Sequence, residues 1–231
     1  MNAPHRGFDA AAATAAPRIA TWLVALALLT IAAPTSAQTS NNAASPHWSV
    51  EIKAGRFQPD VPDWETYYGN DSTRAFALAI GRKVVRHIEL GAELLYGSAR
   101  GQGDLPLNES RGSEVLYEFA PVQAYVLARG VLSERQWVVP YIGAGIGQLY
   151  YRQHVTGGPS NEGNTAYRTV RAGLQLLLDR LSPNSATNLQ RRYGIEHTYL
   201  VLDFQSASAQ IDGTPWDLGG ESWLAGLLFE Y

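Results

Sequence analysis

The 231-residue chain contains no cysteine and a single methionine. Without thiols there is neither a disulfide framework nor a thiolate metal site, so stability has to come from secondary structure and packing. Long apolar runs are equally scarce. Only Thr21 to Ala33 approaches one, and it falls short of the roughly 20 residues that a transmembrane helix needs. No charge of one sign dominates: 18 basic residues stand against 21 acidic ones, which excludes a nucleic-acid surface. Histidine is sparse, and no pair has metal-ligand spacing, so neither a cofactor nor a metal site is expected. What the chain does have is aromatic residues at 10%, 22 glycines and a strong alternation of apolar with polar positions.

The N-terminal segment reads as a targeting signal. Arg6 and Arg18 form a positive region, Thr21 to Ala33 an apolar core, and Thr35-Ser36-Ala37 a small-residue cleavage site. The expected organisation is a cleaved secretory signal over 1–37, a polar lead-in from Gln38 to His47, and one domain over 48–231.

Within that domain period-two patterns recur, the mark of strands with unlike faces. The last stretch shows it well: Trp223, Ala225, Leu227, Phe229 and Tyr231 form an apolar face with an aromatic at each end, opposite Leu224, Gly226, Leu228 and Glu230. Seven earlier segments follow suit, starting near Trp48, Thr73, Ile88, Ser113, Trp137, Ala166 and Thr198. Pro121 cannot donate to a ladder, so a bulge or weakened pair is expected there. Gly143, Gly145 and Gly147 share one parity of their strand and read as inward positions beside bulky neighbours. Within Asp179 to Gly194, Ser182 as N-cap and Pro183 at the first helical position predict a short helix.

The connections Phe57–Ser72, Ser98–Gly112, Arg152–Asn164 and Ser206–Glu221 are long, and Arg82–His87 and Arg129–Gln136 are short. Long and short connections on alternating sides are the layout of outer-membrane barrels, with the short turns facing the periplasm. The fold class expected is therefore all-β: an eight-stranded antiparallel up-and-down transmembrane β-barrel with one short periplasmic helix. Aromatics near strand ends suggest two interfacial girdles, Trp48, Trp137 and Tyr231 on one side, Tyr96, Tyr150, Tyr151, Tyr167 and Trp223 on the other.

If the apolar parity faces lipid, the lumen receives a polar network of Glu51, Lys53, Glu89, Glu93, Gln123, Arg171, Gln175 and Asp203, with Tyr125 among them. Charges of both signs in a dry interior must pair, because an isolated one costs several kcal/mol. Eight strands leave room for side chains and little more, so a plugged lumen is expected rather than a general pore.

The signal sequence, the strand Pro140-Tyr141-Ile142-Gly143-Ala144-Gly145-Ile146-Gly147 and the terminal Phe229-Glu230-Tyr231 resemble those of small outer-membrane β-barrel families of the OmpA, OmpX and OmpW type. The resemblance implies an outer-membrane location, outer-membrane lipid and lipopolysaccharide as surroundings, and a monomer. It also implies that Leu227, Phe229 and Tyr231 form the signal read by the barrel-assembly machinery. Tyr231 stands where many members have phenylalanine. A structural or surface-interaction role is expected, and no enzyme. Two alternatives remain. Some lipid A deacylases of this architecture carry a histidine followed two positions later by a catalytic serine, but here His197 is followed by Tyr199. A soluble lipocalin-like barrel would turn the apolar parity inward around a ligand.

The long loops add two features. Asp60, Asp63, Glu65, Asn70 and Asp71 make the first one acidic, with no EF-hand spacing. Trp64, Tyr67, Tyr68 and Trp216 either contact a ligand or pack together above the barrel rim.

Overall fold

A computed structural model describes residues 48–102, 114–133, 136–156, 160–214 and 216–231. The expected N-terminal signal, its cleavage site and the lead-in fall on residues outside those described. Eight strands close into a barrel, each antiparallel to its sequence neighbour: β1 (Trp48–Pro59), β2 (Thr73–Val85), β3 (Ile88–Gln102), β4 (Glu114–Arg129), β5 (Val138–Val155), β6 (Ser160–Leu177), β7 (His197–Ser208) and β8 (Gly220–Glu230). The first and last strands pair from Ser49↔Glu230 to Pro59↔Gly220. Trp48 and Tyr231 extend that seam by exchanging backbone hydrogen bonds. Closure leaves no edge, so backbone donors and acceptors of the wall are satisfied within it.

The alternation has a definite direction. Ile52, Phe76, Leu78, Ile142, Ile146 and Val170 point out of the barrel and are exposed, Ile146 to 69%. Glu51, Lys53, Glu93 and Arg171 point in and are at most 2% exposed. A lipocalin-like barrel requires the reverse, so that alternative is overturned by where the apolar side chains point. Among the described residues no helix is long and apolar enough to cross a membrane.

Pro121 falls where expected. The β3–β4 register runs Ile88↔Ala128 to Leu94↔Val122 and resumes at Gly97↔Phe119. On its other side Pro121 stays in register with Leu149. Gly145 is an inward position whose missing side chain is needed: a Cβ there would stand 2.2 Å from Gln123 Oε1 and 2.7 Å from Thr169 Oγ1. Gly91 similarly admits the Tyr125 ring, 2.3 Å from where a Cβ would be.

Several boundaries differ from expectation, in one direction. β2 runs on to Val85, so that Arg86 and His87 alone make the turn; β5 reaches Val155 and β6 begins at Ser160. The long connection expected over Arg152–Asn164 is instead largely strand, because ladder pairing continues through polar side chains such as Arg152↔Glu162. A ladder needs only backbone groups, so it extends past the point where apolar alternation ends. Of the upper girdle, Tyr150 and Trp223 face outward, whereas Tyr167 is buried inside and Tyr151 packs against interior residues. Tyr167 shares the parity of Thr169 and Arg171, and a one-residue step reverses the face.

The described residues include two helices. The first, α1 (Trp64–Tyr68), lies in the β1–β2 connection and was not expected. It ends at Gly69, whose positive φ of 73° lets its N–H donate to the Glu65 carbonyl at 2.7 Å. Five residues cannot sustain a helix alone; this one is held by its buried face, Trp64 and Tyr68. The second, α2 (Pro183–Tyr193), begins with proline in its first turn and ends at Gly194. Ser182 does not cap it through its side chain. Its hydroxyl lies 2.7 Å from that of Ser185 instead.

The β7–β8 connection is organised by Asp217. Its Oδ1 accepts from the Ala209 and Gly219 N–H groups at 2.6 and 2.8 Å, and Oδ2 accepts from the Ser208 hydroxyl at 2.7 Å. Burial acts to raise this carboxyl's pKa, but the three donors outweigh it and hold it below the usual aspartate value. A lowered folded-state pKa stabilises the loop above the ordinary aspartate range, about 3.9. That contribution is lost only as pH falls through the lowered value. Asp217→Ala is expected to speed amide exchange at Ala209 and Gly219 at neutral pH. Exchange as slow as in the wild type would show that the carboxylate does not hold the loop.

Candidate functional site

The interior divides into layers. The central layer is built around Lys53 on β1. Its Nζ lies 2.9 Å from Glu51, 2.7 Å from Glu93 and 2.7 Å from Asp203. Arg171 completes it, paired with Asp203 and 3.2 Å from Glu93. The remaining acceptor capacity of Glu93 is taken up by amides: Gln123 and Gln205 donate to its Oε1 at 2.9 and 2.8 Å. Thr169 donates to Gln123 at 2.6 Å. Two cations and three carboxylates from β1, β3, β6 and β7 thus share one buried cluster.

A second polar layer lies toward the rim that carries the tight β2–β3 turn. Arg129 contacts Glu230 at 2.9 Å and donates to Gln175 at 2.6 Å. Lys83 reaches Glu230 at 2.6 Å from its half-buried position. Glu89 accepts from Ser49 at 2.8 Å and from Tyr125 at 3.3 Å, with Arg129 3.6 Å away. Toward the opposite rim the filling becomes aromatic. Phe57 and Phe119 have ring centroids 4.6 Å apart, and Tyr117 stacks 5.8 Å from Phe119. Trp64 lies 3.9 Å from Tyr68 and edge-on to Tyr117 at 5.6 Å, so α1 sits over this mouth as a lid of aromatic rings.

The eight expected lumen residues all lie inside, but in different layers. Glu51, Lys53, Glu93, Gln123, Arg171 and Asp203 meet in the central one; Glu89 and Gln175 belong to the second. Sequence reading missed Arg129, Lys83 and Glu230 as lumen charges. The signal was available: Arg129 continues the parity of Gln123 and Tyr125, and Glu230 that of Leu224, Gly226 and Leu228. The sequence pattern puts the first two in turns, where the structure has strand. Leu227, Phe229 and Tyr231 occupy the outward side of β8 and its continuation.

His197 was the one candidate base. Its Nδ1 lies 2.8 Å from Asp179 Oδ2, whose other oxygen accepts from the Thr198 N–H at 3.0 Å. The Tyr199 ring is 6.2 Å from the imidazole and turned into the lumen, where Arg129 lies over it. Asp179 and His197 therefore tie the β6–β7 connection to the barrel wall. The acidic residues Asp60, Asp63, Glu65 and Asp71 are exposed, and no metal-binding group of three such side chains occurs among the described residues.

On the outside, the apolar belt is bordered at both ends. Near the rim of the tight turns, Arg82 lies 5.5 Å over the Trp48 ring and Arg180 lies 5.0 Å over Trp137. At the other end Arg56, Arg74 and Arg100 project outward and line one open cleft of about 570 Å³.

No family model and no curated protein matches the sequence. Among solved structures, Neisserial surface protein A is similar, with a TM-score of 0.54 at 11% identity over 80% of this chain and 97% of that one. Ail of Yersinia pestis, in complex with the heparin analogue sucrose octasulfate, matches at 16% identity over 80% and 99% of the two chains, TM-score 0.46. The N-terminal β-barrel domain of Pseudomonas aeruginosa OprF matches at 13% identity over 81% and 100%, TM-score 0.45. At such identities the likeness concerns fold. The fold is that of small eight-stranded outer-membrane β-barrels.

Proposed function

We propose that this chain is a non-enzymatic, non-conducting outer-membrane barrel that serves as an anchor and presents its longer connections outside the cell. One observation carries the reading: an apolar exterior surrounds an interior occupied by successive layers of buried polar and aromatic side chains. An apolar exterior of this extent is stable in lipid, and a filled interior leaves no aqueous path. The rim with the tight β2–β3 turn and α2 then faces the periplasm, and the aromatic lid of α1 faces outward. Outer-membrane lipid and lipopolysaccharide are the immediate partners, and the unit is a monomer delivered by a cleaved signal. The outward row Leu227, Phe229 and Tyr231 is the segment the barrel-assembly machinery would read.

In planar bilayers the refolded protein is expected to show no steady conductance, and to show none with Trp64→Ala, because the polar layers beneath the lid still block the path. Stepwise currents from the wild-type protein would replace the plug by a pore. Phe229→Ser combined with Tyr231→Ser is expected to slow assembly into outer membranes while leaving the unfolding midpoint of refolded protein nearly unchanged. Unaltered assembly would remove the insertion role.

A further inference from the structure

The outer rim carries a charge arrangement that the wall itself does not balance. Arg56 and Arg74 are direct cross-strand partners on the outward face of β1 and β2. Like charges directly opposite one another in a sheet are destabilising, since their Cβ atoms stand about 5 Å apart. Farther round, the same pairing row alternates in sign. Ser98 pairs with Glu118, Glu118 with Arg152, and Arg152 with Glu162, the last two 3.9 Å apart as ions. Among the described residues, neither Arg56 nor Arg74 takes part in an ion pair. Arg100 borders the same cleft, and Ser72 and Tyr96 add hydroxyls to its lining.

What lies beneath the arginines matters as much. Following Arg74 down the outward face come Phe76 and Leu78, and following Arg56 come Ala54 and Ile52. A ligand whose anionic group is held at the cleft would lay an aliphatic chain along this surface. Guanidinium forks match phosphate oxygens bidentately, and two held side by side suit one phosphate better than one carboxylate.

We infer that Arg56 and Arg74, with Arg100 at the cleft edge, form a binding site for the phosphate group of a phosphorylated lipid in the surrounding leaflet, its acyl chain lying on Phe76 and Leu78. The inference rests on the membrane-embedded reading above. The bound phosphate offsets the like-charge pair, so the site also fastens β1 to β2 at the rim.

The test uses the full chain refolded in micelles of a neutral maltoside detergent, with dodecyl phosphate as probe and its phosphorus resonance as readout. Folding is checked by heat-dependent gel mobility. Arg56→Gln with Arg74→Gln is expected to weaken dodecyl phosphate binding by about tenfold or more. Arg168→Gln, an outward arginine elsewhere on the wall, is expected to leave it unchanged. Should the glutamine pair fail to refold, Arg56→Lys with Arg74→Lys keeps the charge and removes the forks, and the same weakening is expected. Equal weakening by Arg168→Gln would reduce the site to diffuse belt-edge charge. Displacement of the probe by inorganic phosphate at equal concentration would make it a free-anion site and overturn the lipid assignment. Failure of the wild-type chain to refold in micelles at all would instead refute the membrane reading on which the inference depends.

Discussion

Lys53→Met is expected to destabilise the barrel by about 3–5 kcal/mol, because it leaves three buried carboxylates without the ammonium they share. Glu51, Glu93 and Asp203 all lie within 2.9 Å of the ammonium, and Arg171 alone would then have to neutralise them. The effect should be read from urea unfolding of protein refolded into vesicles. Adding Asp203→Asn and Glu93→Gln to the same variant is expected to recover a large part of the loss, since the remaining Glu51 can still pair with Arg171, 3.9 Å away. A Lys53→Met barrel as stable as the wild type would mean that the cluster is not dry. Equal loss in the triple variant would mean that the alkyl stem of Lys53, rather than its charge, holds the wall together.

The second large effect concerns the exterior. Ile52 stands midway along the outward run of β1, four residues from Trp48 at one end and four from Arg56 at the other. At about 3.3 Å per residue this is roughly 13 Å from either border, close to the centre of a hydrocarbon layer. Ile52→Arg is expected to cost about 2–4 kcal/mol in vesicles, where a midplane cation must be desolvated. Leu174→Arg, also outward, tests the opposite wall of the barrel. The contrast with detergent is informative: the penalty should shrink in short-chain micelles, where the head group can reach water. A neutral result in thick bilayers would contradict the lipid-facing assignment of these residues.

Much of the wall was legible from alternation. Trp48 to Ala54 and Trp223 to Tyr231 show their faces directly, and Pro121 marks the gap in pairing with β3 through its missing donor. Strand ends were harder, for a physical reason. The Arg152↔Glu162 and Gln153↔Asn161 pairs keep the ladder going with no apolar signal on either side. The same extension of the ladder past the apolar signal carries Lys83 and Arg129 into β2 and β4, and so into the second polar layer. The lid was illegible for another reason: Trp64-Glu65-Thr66-Tyr67-Tyr68 becomes a helix only because Tyr117, distant in sequence, offers rings to pack on. The outer-rim arginines were visible as letters, but their adjacency follows from the β1–β2 register, which depends on where the intervening loop starts and stops.

The composition of the central cluster has a bearing on how the barrel forms. Lys53 finds Glu93 on a strand 40 residues away and Asp203 150 residues away. Until β7 and β8 arrive beside β1, these groups have no common centre, and a partly curled sheet would carry bare charges into lipid. Neutralisation and ring closure therefore coincide. Loop-closure entropy over such separations slows this step, and intermediates with an open wall are raised in energy relative to both ends of the reaction. The barrel should accordingly fold and unfold as a single unit, with pronounced hysteresis between the two directions.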